Sequence, residues 1–119
     1  VAVPADGSAL FVGVSNYKDR KRSGVYRFPL GPDGVPDVAA GKARPWAAVP
    51  GPDGLAFGPD GRLYVTAGAV VAVVGADGTR TGELRIPRGS GTNLAFGGAD
   101  GRTLFVTTNA ALFAFDPAP

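Results

Sequence analysis

Oxygen carries the chemistry open to this chain. Its 119 residues include nine aspartates, one glutamate and three asparagines, but no histidine, cysteine or methionine. A Ser-His-Asp triad, a cysteine nucleophile, a disulfide, haem ligation and a thiolate or imidazole zinc site are therefore excluded. Ser15 and Ser90 have no histidine to activate them. A metal site here would be made of oxygen ligands, which suits calcium, magnesium or manganese. Six carboxylates stand in Asp-Gly pairs, at 6–7, 33–34, 53–54, 60–61, 77–78 and 100–101. Asp-Gly readily takes the positive φ of a tight hairpin, so the plainer reading makes all six turns. Asp53 is the one whose place in the pattern differs.

That pattern is a repeat. The run Gly54-Leu55-Ala56-Phe57-Gly58-Pro59-Asp60-Gly61-Arg62-Leu63-Tyr64-Val65-Thr66 returns as Asn93-Leu94-Ala95-Phe96 and then Asp100-Gly101-Arg102-Thr103-Leu104-Phe105-Val106-Thr107. A weaker copy opens the chain, with Val1-Ala2-Val3-Pro4-Ala5-Asp6-Gly7 followed by Leu10-Phe11-Val12. Asp60 and Asp100 are 40 residues apart. A period of that size, with four short β-like runs in each unit, is the mark of propeller blades.

The middle unit predicts strands over 54–57, 62–66, 69–74 and 82–86. The last predicts 93–96, 103–107 and 111–115, and the first 1–3, 10–14, 24–28 and a poorer strand at 46–49. The expected fold is thus all-β, a partial six-bladed propeller of three blades at about 1–50, 51–88 and 89–116, the last lacking its outer strand. Propellers often close by borrowing that strand from the opposite terminus. The chain opens mid-pattern at Val1, which reads as a piece of a longer protein or a processed domain. An eleven-stranded sandwich is the alternative, weakened by the repetition.

In a four-stranded blade, the first–second and third–fourth hairpins share one end. Asp6, Asp33, Asp60, Asp77 and Asp100 all fall there. Asp53 instead lies where one blade's outer strand connects to the next blade's innermost strand, on the opposite face. Thr92-Asn93 holds the matching place one unit later, and Gly68, Asn109 and the loop Ser15–Ser23 belong to the same side. Function is expected on this face of long, polar connections. A carboxylate beside an amide offers a hard divalent cation the oxygen it requires. The plainer alternative leaves Asp53 capping a Pro-Asp-Gly turn and nothing more.

Composition narrows the rest. Nineteen glycines and eleven prolines accompany 45% apolar residues, so the chain builds a core rather than remaining disordered. Gln is absent, Glu occurs once and Lys three times, which argues against a helical domain. No apolar run approaches the roughly 18 residues of a membrane span. A net charge of +2 is too mild to imply nucleic acid. The basic loop Lys18–Arg22 lacks an aromatic platform beyond Tyr17 and reads as a solvated tip. Trp46 reads as packing between blades. No compartment is fixed by the residues, a cytoplasmic setting being preferred to a periplasmic one.

Pro52-Asp53-Gly54-Leu55-Ala56-Phe57, Asp60-Gly61-Arg62-Leu63-Tyr64-Val65 and the second copy from Thr92 to Thr107 together resemble the last blades of sugar lactonases. These are the gluconolactonase / senescence marker protein / luciferin-regenerating enzyme family. The resemblance is strongest from Pro52 to Phe115, and it implies a six-bladed propeller with one divalent cation at the channel mouth. Calcium is the first choice, with magnesium, manganese or zinc as alternatives. It further implies a carboxylic-ester hydrolase that opens a sugar lactone, the cation polarising the carbonyl. Asp53 matches the family's aspartate ligand and stands where it can orient or deprotonate the attacking water. Asn93 and Thr92 would line the substrate pocket. The family's glutamate and asparagine ligands have no counterpart here, since Glu83 falls on an outer strand. The missing N-terminal half of the propeller is the implied partner, and this piece alone is expected to be inactive. The competing reading is a non-enzymatic, NHL-like propeller module that binds protein or ligand across its open face. A strictosidine-synthase-like propeller enzyme is a third.

Overall fold

The computed structural model describes residues 1–117. Nine strands form three antiparallel sheets: β1 (Ala9–Val14) with β2 (Gly24–Pro29); β3 (Pro52–Phe57), β4 (Leu63–Ala67), β5 (Val70–Val74) and β6 (Arg80–Arg85) in that order; and β7 (Gly91–Gly97), β8 (Thr103–Thr108) and β9 (Leu112–Phe115). A one-turn helix α1 (Val38–Gly41) and a 3-10 turn at Arg20–Arg22 are the only helical pieces among the described residues. None is long and apolar enough to cross a membrane. The fold is all-β, and the third sheet has three strands, as the repeat predicts.

The first sheet is shorter than expected. Strand 1–3 shrinks to a bridge of Ala2 to Phe11, and 46–49 to a bridge of Val25 to Ala47. The backbone explains the second loss. Trp46 and Ala47 both donate to the carbonyl of Val25, at 2.8 and 3.1 Å, so the ladder cannot step onward. The two bridges still flank β1 and β2 in the order of a four-stranded unit.

Side-chain period shows how the sheets stack. In β4, Leu63 and Val65 join Ala72 and Val74 of β5 in a core against Ala9, Phe11, Val25 and Ala47 of the first unit. The alternate residues Tyr64, Val71 and Val73 join a second core with Leu94, Leu104 and Val106 of the third sheet. Strand residues alternate between faces, so the middle sheet is covered on both. That is why Leu63-Tyr64-Val65-Thr66 is buried throughout, whereas β8 alternates between buried and open positions. One contact recurs at each interface: Phe11 meets Phe57 edge-on at 5.1 Å, and Tyr64 meets Phe96 at 5.0 Å. Trp46 packs on Phe11 at 4.9 Å, and its carbonyl sits against Gly78 of the second sheet. Its place between sheets matches the sequence reading. Backbones of neighbouring sheets come closest between β3 and β7. The sheets splay outward from there within a slab of 38 × 36 × 22 Å.

The Asp-Gly hairpins tie the far end together. Asp60 accepts from the Arg62 backbone N–H at 3.0 Å, from Arg62 Nε at 2.6 Å and from the Tyr64 hydroxyl at 2.9 Å. Burial pushes its pKa upward, but these hydrogen bonds outweigh that effect and hold it below the usual aspartate range. A depressed carboxylate contributes stability that is complete above its unfolded pKa and lost as pH falls through the folded one. We therefore expect the stability difference between wild type and Asp60→Asn to be constant above pH 3.8, the ordinary aspartate value, and to shrink below it. Urea melts across a pH series measure this. A difference independent of pH down to complete acid unfolding would show that the Asp60 bonds do not stabilise the fold.

Candidate functional site

Asp53 lies inside β3 rather than in the connection before it. Pro52 pairs with Ala67, and pairing resumes only at Leu55 with Val65, so Asp53 and Gly54 form a bulge. Thr66 holds that bulge. Its fully buried hydroxyl accepts from the Gly54 N–H at 2.7 Å, which replaces the ladder bond the bulge removes. Gly54 is required for a second reason. A Cβ there would lie 2.6 Å from the Cα of Asn93, so any side chain would push β7 away. On the other flank, the Ser15 hydroxyl donates to the Pro52 carbonyl at 2.7 Å, and the Gly51 N–H donates to Ser23 Oγ at 3.1 Å.

This anchoring leaves the Asp53 side chain exposed between two buried neighbours, Pro52 and Gly54. Its carboxylate has no hydrogen bond or ion pair among the described residues. Asp6, Asp33, Asp60, Asp77 and Asp100 each accept the backbone N–H two residues on. Asp19 does the same for Lys21, and Asp37 caps α1 at Ala40. Asp53 caps nothing, so the turn-capping alternative does not describe it. The carboxylates held below the usual range, Asp6 and Asp77 through backbone N–H donors and Asp60 as above, all belong to the hairpin end.

Asp53 lines a cleft of about 420 Å³ with Ser15, Tyr17, Arg20, Gly68 and Ser90. Asp6 and Gly61 border a separate hollow at the hairpin end. The loop Ser15–Ser23, Gly68 and Asp53 thus share one face. Asn109 joins them through Ser90, whose N–H donates to Asn109 Oδ1 at 2.9 Å. Thr92 and Asn93 do not line this cleft. Thr92 Oγ1 turns to the Thr107 carbonyl and hydroxyl, at 3.2 and 3.0 Å, and Asn93 Oδ1 accepts from the Leu94 N–H at 2.9 Å. Asn93 remains beside Gly54, one residue from Asp53.

One contributor, Thr66, escaped the sequence reading, and two more, Arg20 and Tyr17, entered it only as part of the loop Ser15–Ser23. Arg20 enters the cleft because the Asn16 side chain accepts from Lys18 and Asp19 and folds the loop back. Tyr17 follows it. Thr66 was legible in principle, since Thr66 and Thr107 hold equivalent places after Leu-Tyr-Val and Leu-Phe-Val, and Thr107 donates to the Asn93 carbonyl at 3.3 Å as Thr66 donates to the Gly54 carbonyl at 3.5 Å.

The comparisons with known proteins agree with this architecture. A family model described as the SMP-30/Gluconolactonase/LRE-like region matches residues 2–110. The chain belongs to this family. Among relatives, 6-deoxy-6-sulfogluconolactonase from Pseudomonas putida is 34% identical over 97 residues, covering 78% of this chain and 33% of the relative. A crystal structure assigned as a gluconolactonase superposes with a TM-score of 0.75 at 29% identity, over 97% of this chain and 37% of that one. The Xanthomonas campestris gluconolactonase gives 0.74 at 25% identity, over 95% and 35%. The chain therefore spans about a third of the length of these family members.

Thr66→Val keeps the shape but leaves the buried Gly54 N–H without an acceptor. It is expected to cost about 1–3 kcal/mol, read from urea midpoints. Thr66→Ser should recover most of that loss. Equal stability of Thr66→Val and wild type would show that the bulge is not held by this hydroxyl.

Proposed function

We propose that this chain contributes the acid–base carboxylate of a lactone-opening hydrolase, and that Asp53 is that group. The supporting observation is its freedom: a carboxylate without an intramolecular partner, fixed by anchored backbone on both sides and facing a polar cleft. The curated relative acts on a sulfogluconolactone by name and the structural relatives carry the name gluconolactonase, so a sugar lactone is the substrate class. In this reading Asp53 accepts a proton from water as its oxygen adds to the lactone carbonyl carbon. The ring C–O bond then breaks and the leaving ring oxygen is protonated, giving the open hydroxy acid.

The family implies a divalent cation, calcium first, at this position. The donors here are of the right type but too few. Among the described residues no three acidic groups converge, and Asp53 is the lone carboxylate on the cleft. Calcium takes roughly 6–8 oxygens. The isolated chain is therefore not a cation site by itself, and in our reading the remaining ligands come from elsewhere in a longer protein.

Two expectations follow. The 119-residue chain alone should bind calcium no more tightly than about millimolar by calorimetry and should not hydrolyse gluconolactone above the buffer rate. Catalysis by the purified chain near the rate of full-length relatives would overturn this. The second test replaces the matching segment of a gluconolactonase by residues 1–117. Asp53→Asn in that folded chimera should lower kcat/KM by roughly 10²-fold or more. An active chimera indifferent to the change would remove Asp53 from the chemistry.

A further inference from the structure

The cleft beside Asp53 carries one charge of each sign. Among the described residues that wall it, Asp53 is the sole carboxylate and Arg20 the sole cation. The walls come from connections of all three units: the loop Ser15–Ser23, Gly51 before β3, Gly68 between β4 and β5, and Ser90 before β7. The cleft is thus built between units, not on the outward face of either end sheet.

Arg20 owes its place to hydrogen bonds within the loop. Asn16 Oδ1 accepts from the N–H groups of Lys18 and Asp19 at 3.1 and 2.9 Å, which turns the chain just before the 3-10 turn Arg20–Arg22. That turn is then pinned to the strands around it. The Arg20 carbonyl accepts from the Ser23 N–H at 3.2 Å, and the Arg22 carbonyl accepts from the Tyr26 hydroxyl at 2.7 Å. Ser23 Oγ donates to the Val14 carbonyl at 3.2 Å while accepting from Gly51, and so ties the loop to the segment that carries Asp53. Side chains of a 3-10 turn diverge by about 120° per residue. Arg22 accordingly borders a different hollow, beside Tyr26, and its Nε lies 3.5 Å from Asp19 Oδ2. The adjacent carboxylate therefore serves Arg22, and Arg20 turns to the cleft. Lys18 and Lys21 do not line it.

Arg20 and Asp53 form no ion pair with each other, so the two charges share the cleft without neutralising one another. Its 420 Å³ falls within the roughly 300–1,000 Å³ of small-molecule sites. A guanidinium presents its N–H donors as a planar fork, which takes a carboxylate, sulfonate or phosphate through two parallel hydrogen bonds.

We propose that Arg20 is a specificity-determining residue, which selects a sugar lactone bearing an anionic substituent away from the ring carbonyl. Arg20 holds the anion, and the lactone carbonyl is then directed toward Asp53. The Asp53 carboxylate repels the anion from its own side, which disfavours the reversed orientation. The sugar lactone rests on the reading of Asp53 given above, whereas capture of the anion by Arg20 does not.

Two measurements separate these parts. The first is a nitrogen–proton NMR titration of the 119-residue chain with three unreactive probes: glucitol, glucitol phosphorylated at its terminal carbon, and inorganic phosphate. The sugar phosphate should shift the N–H signals of the Ser15–Ser23 loop and of Ser90, with a Kd of roughly millimolar. Glucitol and inorganic phosphate should each bind about tenfold more weakly or less. Arg20→Ala should weaken the sugar phosphate about tenfold or more, and Arg20→Lys by less, because the charge remains without the fork. Lys21→Ala should bind as wild type does. An Arg20→Ala chain that binds like wild type would overturn the proposal, and so would inorganic phosphate binding as tightly as the sugar phosphate. The second measurement uses the chimera described above. The ratio of kcat/KM for terminally phosphorylated gluconolactone to that for gluconolactone should fall about tenfold or more with Arg20→Ala. An unchanged ratio in an active chimera would remove Arg20 from substrate selection. A ratio that falls in a chimera indifferent to Asp53→Asn would uphold Arg20 and remove only the acid–base reading of Asp53.

Discussion

The approach of β7 to β3 at Gly54 sets the geometry on which the rest depends. With 2.6 Å between a Cβ at Gly54 and the Cα of Asn93, only hydrogen fits between these backbones. Two sheets can converge there, and their outer strands then spread. The two cores lie in the wedges so formed, one on each face of the middle sheet. Burial on both faces demands an unbroken apolar run in β4 and β5, and Leu63–Val65 with Val70–Val74 supplies it.

Close convergence disturbs the ladder, and the disturbance makes the site. The bulge at Asp53 and Gly54 frees one backbone N–H from strand pairing, and a buried donor without an acceptor costs about 1–3 kcal/mol. Thr66 supplies the acceptor from the neighbouring strand. With the backbone satisfied in this way, the Asp53 carboxylate is not needed to cap it. In the hairpins the opposite division holds, because the aspartate itself accepts the turn N–H. An aspartate is left available for a ligand where another side chain has taken over the structural hydrogen bond.

Much of this was legible before any coordinates. The 40-residue recurrence specified three stacked antiparallel units, of which the middle one keeps all four strands and the last three, and the order of hairpins within a unit placed the aspartates of the turns at one end and Asp53 at the other. The loop Ser15–Ser23 was assigned to the correct face, and its basic tip, read as solvated, is exposed, with Arg20 at the same time bordering the cleft. Thr92 and Asn93 were expected to face the pocket. The second bulge, between Gly91 and Asn93, instead turns Thr92 onto Thr107. Bulges of this kind carry no composition signal strong enough to reveal which neighbour a side chain will choose.

Residue order alone determined the fold class, the sheet count and which end of each unit a carboxylate occupies, since these follow from strand period and turn chemistry, both local. Tertiary structure decided that Asp53 is free while seven other aspartates are engaged. That outcome depends on Thr66 and Ser15, 13 and 38 positions away in sequence, reaching the two sides of one bulge. A hydrogen bond between distant segments exists only once packing has brought them within 3 Å or so, and no local pattern encodes it.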